Sequence, residues 1–121
     1  MITAEEVRDL ALSLPEAAEI ETWGEATFRV RNKIFLILSP NGDGASLRTS
    51  LDQQLALTSA FPEAFSVAHY VGRFGWVSVR LNTVDQSLMS DLVIDVWRRT
   101  APKRVVARFD ADQQTTDQSG Q

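Results

Sequence analysis

No cysteine occurs among the 121 residues, and there is one histidine. The first absence excludes disulfides, thiolate nucleophiles and cysteine-based zinc or iron–sulfur sites together. The second leaves His69 as the sole imidazole, too few ligands for a zinc site, so no metal is expected. No run approaches the roughly 20 apolar residues of a membrane span. The opening MITAEEVRDL also lacks the basic start and the apolar stretch of about 7–15 residues that make a signal peptide. A soluble, cytoplasmic protein is the expectation.

Catalytic signatures are missing as well. There is no GxSxG elbow, and no base other than His69 to activate a nucleophile. Asn41-Gly42-Asp43-Gly44 is the one closely spaced glycine pair. It is followed by neither GxGxxG nor GK[ST], and reads as a turn rather than a phosphate cradle. Glu16, Glu19, Glu21 and Glu25 could be assembled into a carboxylate pair, with Glu19 and Glu21 on one strand face, but they fit a solvated acidic edge better. These absences predict no catalytic residues, no cofactor and a non-enzymatic protein.

What is present is an ordinary globular composition, 44% hydrophobic and 23% charged, of a length suited to one domain. The net charge is −4, unevenly spread. Residues 1–25 carry seven acids against Arg8, residues 26–108 carry eleven bases against six acids, and the tail adds three aspartates. Such asymmetry can signal a basic face.

Thr3 and Glu6 form a capping box ahead of Val7, Leu10, Ala11 and Leu14, which share one helical face until Pro15 ends the helix. Ala18 to Thr22 is a first strand. Phe28 and Val30 alternate with Arg29 and Arg31 in a second, with Asn32-Lys33 as the hairpin turn. Ile34 to Leu38 reads as a central strand and Ala45 to Arg48 as its neighbour. Ser50 and Gln53 make a second capping box for a helix over 51–60. Residues 61–73 look irregular but anchored, and Trp76 to Leu81 forms a strand. Thr83 or Asp85 caps a long helix striped with Leu88, Met89, Leu92, Val93, Val96 and Trp97, ending before Pro102. The expectation is a two-layer α+β domain over residues 1–108, an antiparallel sheet meander with three helices packed on it, and a disordered polar tail over 109–121.

The remaining constellation is basic and aromatic. Arg29 and Arg31 fall on one strand with Lys33 at its turn. Arg48, Arg73 and Arg80 lie on or beside other strands, Trp76 begins a strand, and Lys103 and Arg104 follow the last helix. Guanidinium groups beside Trp23, Tyr70 or Trp76 suit phosphates and stacked bases. The alternative is that these cations serve helix dipoles and strand ion pairs.

Several segments together resemble the MmcQ/YjbR-like family of small bacterial proteins: Leu12-Ser13-Leu14-Pro15-Glu16, Trp23-Gly24-x-x-x-Phe28-Arg29-Val30, Lys33-Ile34-Phe35 and Ala45-Ser46-Leu47-Arg48. Pro62-Glu63-Ala64-Phe65, Gly75-Trp76-Val77, the Asp85 helix with Trp97, and Ala101-Pro102-Lys103-Arg104 continue it in order. The resemblance implies a compact double-wing arrangement of antiparallel sheet and helices. It also implies the DNA-binding label often given to the family, which would fall here on Arg29, Lys33, Arg48, Trp76, Lys103 and Arg104. No catalytic residues carry over. Three functions follow as expectations: weak, salt-sensitive DNA binding through a local basic face, a protein-interaction or chaperone-like module, and a small-ligand pocket near Trp23, Tyr70 and Trp76.

Overall fold

The computed structural model describes the backbone of residues 1–119 and side chains through residue 113. Helix α1 (Ala4–Ser13) is followed by strands β1 (Ala17–Thr22), β2 (Glu25–Val30), β3 (Lys33–Leu38) and β4 (Gly44–Arg48). Then come α2 (Leu51–Ala60), β5 (Phe65–Val67), a 3₁₀ turn (Gly72–Phe74), β6 (Trp76–Arg80), α3 (Gln86–Thr100) and α4 (Lys103–Ser119). The six strands form one antiparallel sheet in the order β1-β2-β3-β4-β6-β5.

Local chemistry explains the boundaries. The Thr3–Glu6 box closes in both directions at the start of α1. At α2 only half of the expected box forms, since Ser50 Oγ accepts from the Gln53 amide without a return bond. The β1–β2 and β2–β3 connections are two-residue loops, Trp23-Gly24 and Arg31-Asn32, with all four residues at positive φ. That is the type I′ geometry whose twist matches a hairpin. The second turn therefore sits one residue earlier than the sequence suggested, because Lys33 pairs with Val30 and opens β3.

Strand β3 explains how a continuous apolar run serves a two-faced sheet. A bulge shifts its register between Phe28 and Arg29. Phe35 and Leu36 are consequently both fully buried, while Ile34 and Ile37 flank them on the other face, half-buried. An extra residue inserted into one strand bends it and re-aims its side chains in this way.

All helices lie on one face of the sheet. Phe28, Leu36, Leu47, Val77 and Val79 meet Val7 and Ala11 of α1 and Met89, Val93, Val96 and Trp97 of α3 in a single core. Leu57 of α2 joins them, and Phe61 at the end of α2 meets Phe65 of β5 with ring centroids 6.3 Å apart. The Trp97 indole donates to the Pro15 carbonyl at 3.0 Å, which satisfies its N–H within the core and ties α3 to the end of α1.

Two expectations need correction. Residues 61–73 are not wholly irregular: Phe65–Val67 pairs with β6 and becomes the sheet edge. The tail is not uniformly a polar coil either. From Lys103 the chain forms α4, a fourth helix, and Phe109 packs edge-on against Trp97 with centroids 5.0 Å apart. Val105, Val106 and Phe109 pack against the core and dock the segment, and composition averages hide such anchors. Residues 120 and 121 of the expected tail lie outside the described residues.

Candidate functional site

Strand directions fix what stands at each end of the sheet. One end carries the Arg31-Asn32 turn, the start of β1, the end of β4 and the start of β6. The opposite end carries the Trp23-Gly24 turn, the 39–43 turn and the end of β6. Helices α1 and α3 both run from the Trp23 end to the Arg31 end, since Ile2 bonds to Leu81 and Trp97 reaches Pro15.

This arrangement sorts the charges. Arg29, Arg31, Lys33, Arg48, Arg73, Lys103 and Arg104 all fall at the Arg31 end, together with Arg98 and Arg99 at the close of α3. Arg108 joins them one helical turn beyond Arg104. Only Arg8 and Arg80 among the cations lie elsewhere. Arg80 pairs with Gly44 at the Trp23 end, away from the other predicted site residues. Glu5, Glu6, Glu25, Asp43 and Asp85 occupy that opposite end. Of the nine residues singled out from sequence, the structure thus brings eight to one end and leaves Arg80 at the other.

The sheet face without helices is the second element of the site. Register pairs carry Ile20, Thr27, Ile37, Ser46, Ser78 and Ser66 across it as one uncharged row. Beside that row, toward the Arg31 end, stand Arg29 opposite Ile34 and Arg48 opposite Trp76. Arg29 lies along the surface, donating from Nε to Thr27 Oγ1 (3.2 Å), from Nη1 to Asn32 Oδ1 (3.2 Å) and from Nη2 to Thr22 Oγ1 (3.0 Å). These neutral partners fix its position and leave its charge uncompensated. Among the described residues, ion pairs involve Arg8, Arg31 and Arg98 but not Arg29, Lys33, Arg48, Arg73, Lys103 or Arg104.

Gly75 shapes the neighbouring loop. It has φ +99°, and a Cβ there would sit 2.4 Å from the Thr49 carbonyl oxygen, so glycine alone fits. The Thr49 hydroxyl donates to the Gly75 carbonyl, and Gln54 Nε2 donates to the carbonyls of Gly72 and Trp76, at 2.7 Å each. The loop is therefore pinned from beneath while Tyr70 and Phe74 stand in solvent, 96% and 62% exposed. The Arg73 guanidinium lies 4.8 Å from the Phe74 ring centre. His69 is exposed beside Tyr70, with rings 6.3 Å apart.

On the other side of the Arg31 turn, α4 lines a groove of about 730 Å³ with Arg104, Val105, Arg108, Phe109 and Asp112 facing Pro15, Glu16 and Arg31. Arg31 Nε and Nη2 grip the Glu16 carboxylate, the second contact at 3.2 Å. That hydrogen bond holds Glu16 below the usual carboxylate range against the opposing effect of desolvation, with the charges of Arg31 and Arg104 assisting. Sequence reasoning placed Arg31 on the face of Arg29; the turn geometry instead directs it to Glu16.

Two other sequence groupings do not assemble. Trp23 lies at the opposite end from Tyr70 and Trp76, so these three do not share a pocket. Glu19 is engaged by Arg8 Nε at 3.0 Å, and Glu21 has no such partner among the described ion pairs.

A family model described as YjbR matches residues 12–99. The Deinococcus radiodurans protein DR2400, of domain family DUF419, has a similar structure, with TM-score 0.73 and 21% identity over 80% of this chain and 77% of that one. A Pseudomonas syringae protein superposes with TM-score 0.63 and 16% identity over 76% of this chain and 93% of that one. No curated protein matches the sequence.

Proposed function

Since this chain belongs to the YjbR family, with the sheet-and-helix fold of the DUF419 structure, we propose that it is a non-enzymatic module that binds nucleic acid through the Arg31 end and the adjoining open sheet face. The observation that carries this reading is the sorting of charge: every lysine and arginine except Arg8 and Arg80 lies at one end of a protein whose net charge is −4. Arginine pairs with phosphate in bidentate geometry, and Arg29, held by neutral hydroxyls and an amide, has its charge available for that role.

The test is fluorescence anisotropy of labelled DNA and RNA across a salt series. Each phosphate neutralised adds about 0.9 to the negative slope of log K against log salt. Binding that weakens steeply with salt is expected. A variant carrying Lys33→Glu, Arg48→Glu and Arg104→Glu, all at exposed positions, should lose it while keeping its circular dichroism spectrum. Absence of binding at about 50 mM salt, where screening is weak, overturns the reading.

A second reading, a protein-interaction module, has one observation in its favour. Trp23 is 95% exposed at the tip of the β1–β2 hairpin, with Ile20 of edge strand β1 43% exposed nearby. Exposed tryptophan is over-represented among residues that anchor protein interfaces. If nucleic acid fails to bind, this hairpin is where a partner should be sought.

A further inference from the structure

Three aromatic side chains occur within seven residues at the Arg31 end: Tyr70, Phe74 and Trp76. Tyr70 is 96% and Phe74 62% exposed, while Trp76 is half-buried on the open sheet face. The backbone holds them outward. Tyr70 sits at φ 62°, the Val71 amide bonds back to His69 at 2.6 Å, and the 3₁₀ turn closes with Phe74 bonding to Val71 at 3.0 Å. Gln54 and Gly75 anchor this loop from below, so the rings are presented by a supported backbone.

Exposed aromatic surface is unfavourable in water at roughly 25 cal/mol per Å², and the anchored backbone keeps the Tyr70 and Phe74 rings in that exposed position. Their surroundings indicate what would cover them. The Arg73 guanidinium lies over the Phe74 ring at 4.8 Å, and Arg48 is the cross-strand register partner of Trp76, so a cationic residue neighbours each of these two aromatic positions. A flat π-face with an adjacent cation matches a base with its phosphate. The uncharged row of Thr27, Ile37, Ser46 and Ser78 continues the surface without a carboxylate to repel a backbone.

Resting on the reading above, we infer that the nucleic acid this surface takes is single-stranded, with bases stacking on Tyr70, Phe74 and Trp76 while Arg48 and Arg73 hold phosphates. In a duplex the base faces are hidden within the stack, so exposed rings would find only sugar and phosphate edges. Unstacked bases offer their faces, and an aromatic on a sheet surface is a recurrent means of holding them.

The experiment compares a labelled oligothymidylate of about 12 nucleotides, a length within the range that one small sheet domain covers, with a duplex of equal length, using anisotropy at fixed low salt. Wild-type protein should favour the single strand by roughly tenfold or more, as expected for one or two stacked bases. The double variant Tyr70→Ala and Phe74→Ala removes exposed rings only, so folding should persist and circular dichroism checks that it does. It should weaken single-strand binding about tenfold, leave duplex binding unchanged and leave the salt slope unaltered, because no charge is lost. Equal affinity for the duplex, or single-strand binding indifferent to the double variant, overturns the single-strand inference while nucleic-acid binding itself stands. No binding of either probe overturns both.

Discussion

At the scale of single residues, the two hairpin tips show how side-chain identity and backbone demand can disagree. Trp23 occupies the first loop position of a type I′ turn at φ 54° and is 95% exposed. A left-handed backbone costs an ordinary side chain about 1–2 kcal/mol, and here almost no burial offsets it. Asparagine tolerates that region, as Asn32 does in the next turn at φ 66°. Trp23→Asn is therefore expected to stabilise the fold by about 0.5–1 kcal/mol, read as an increase in the urea midpoint at unchanged slope. A decrease would mean that the indole makes a stabilising contact the turn geometry does not reveal. The identity of the cationic residues was legible in the sequence; their companions were not. Arg29 and Arg31 differ by two positions and read as one strand face, yet the strand ends at Val30, and Arg31 turns to Glu16 instead. Period-two reasoning holds only while the strand lasts, and a two-residue turn is short enough to hide inside the pattern.

At the scale of elements, α1, α3 and the β2–β3–β4 meander were legible because each has caps, breakers and a strong periodicity. The elements that sequence reasoning missed, β5 and α4, are those held by few contacts rather than by pattern. A three-residue edge strand is too short to show alternation, and Phe65 alone commits it to the core. In α4 the polar composition concealed Val105, Val106 and Phe109, which are partly buried against the core. Phe109 meets Trp97 at 5.0 Å, with the Arg98 guanidinium 5.7 Å from its ring centre and Arg98 paired to Asp110. If this docking holds the helix, Phe109→Ala should cost about 1–2 kcal/mol, less than the 3–5 of a fully buried phenylalanine because the ring is half-exposed. A urea titration followed by far-ultraviolet circular dichroism measures this. A free polar tail would instead give no change, so a cost below about 0.3 kcal/mol would return residues 109–113 to the coil that composition suggested.

At the scale of the molecule, the question is whether a protein with net charge −4 can present a cationic surface to a polyanion. Magnitudes decide it. A six-residue strand such as β2 spans about 20 Å, and the basic Arg31 turn lies at one end of that length while Glu5, Glu6, Glu25, Asp43 and Asp85 lie at the other. At physiological ionic strength the screening length is about 8 Å, so a ligand at the Arg31 end feels the acids of the Trp23 end only weakly. Net charge then describes solubility, while local charge governs what binds. The sequence already divided into acidic and basic segments, but segments are not surfaces. The parallel course of α1 and α3, with the acids of α1 at its start and the arginines of α3 at its end, turned the division into two poles. An unusual chromatographic behaviour follows. At pH 7 and low salt the protein should be retained by an anion exchanger through its acidic pole and by heparin through its basic one. Replacing Lys33, Arg48 and Arg104 with glutamine makes the net charge more negative by three, which strengthens the first interaction and should abolish the second. Were the wild-type protein to pass through heparin unretained at about 0.02 M salt, where the screening length exceeds 10 Å, the basic pole would not act as a surface and the anion-binding reading would fail with it.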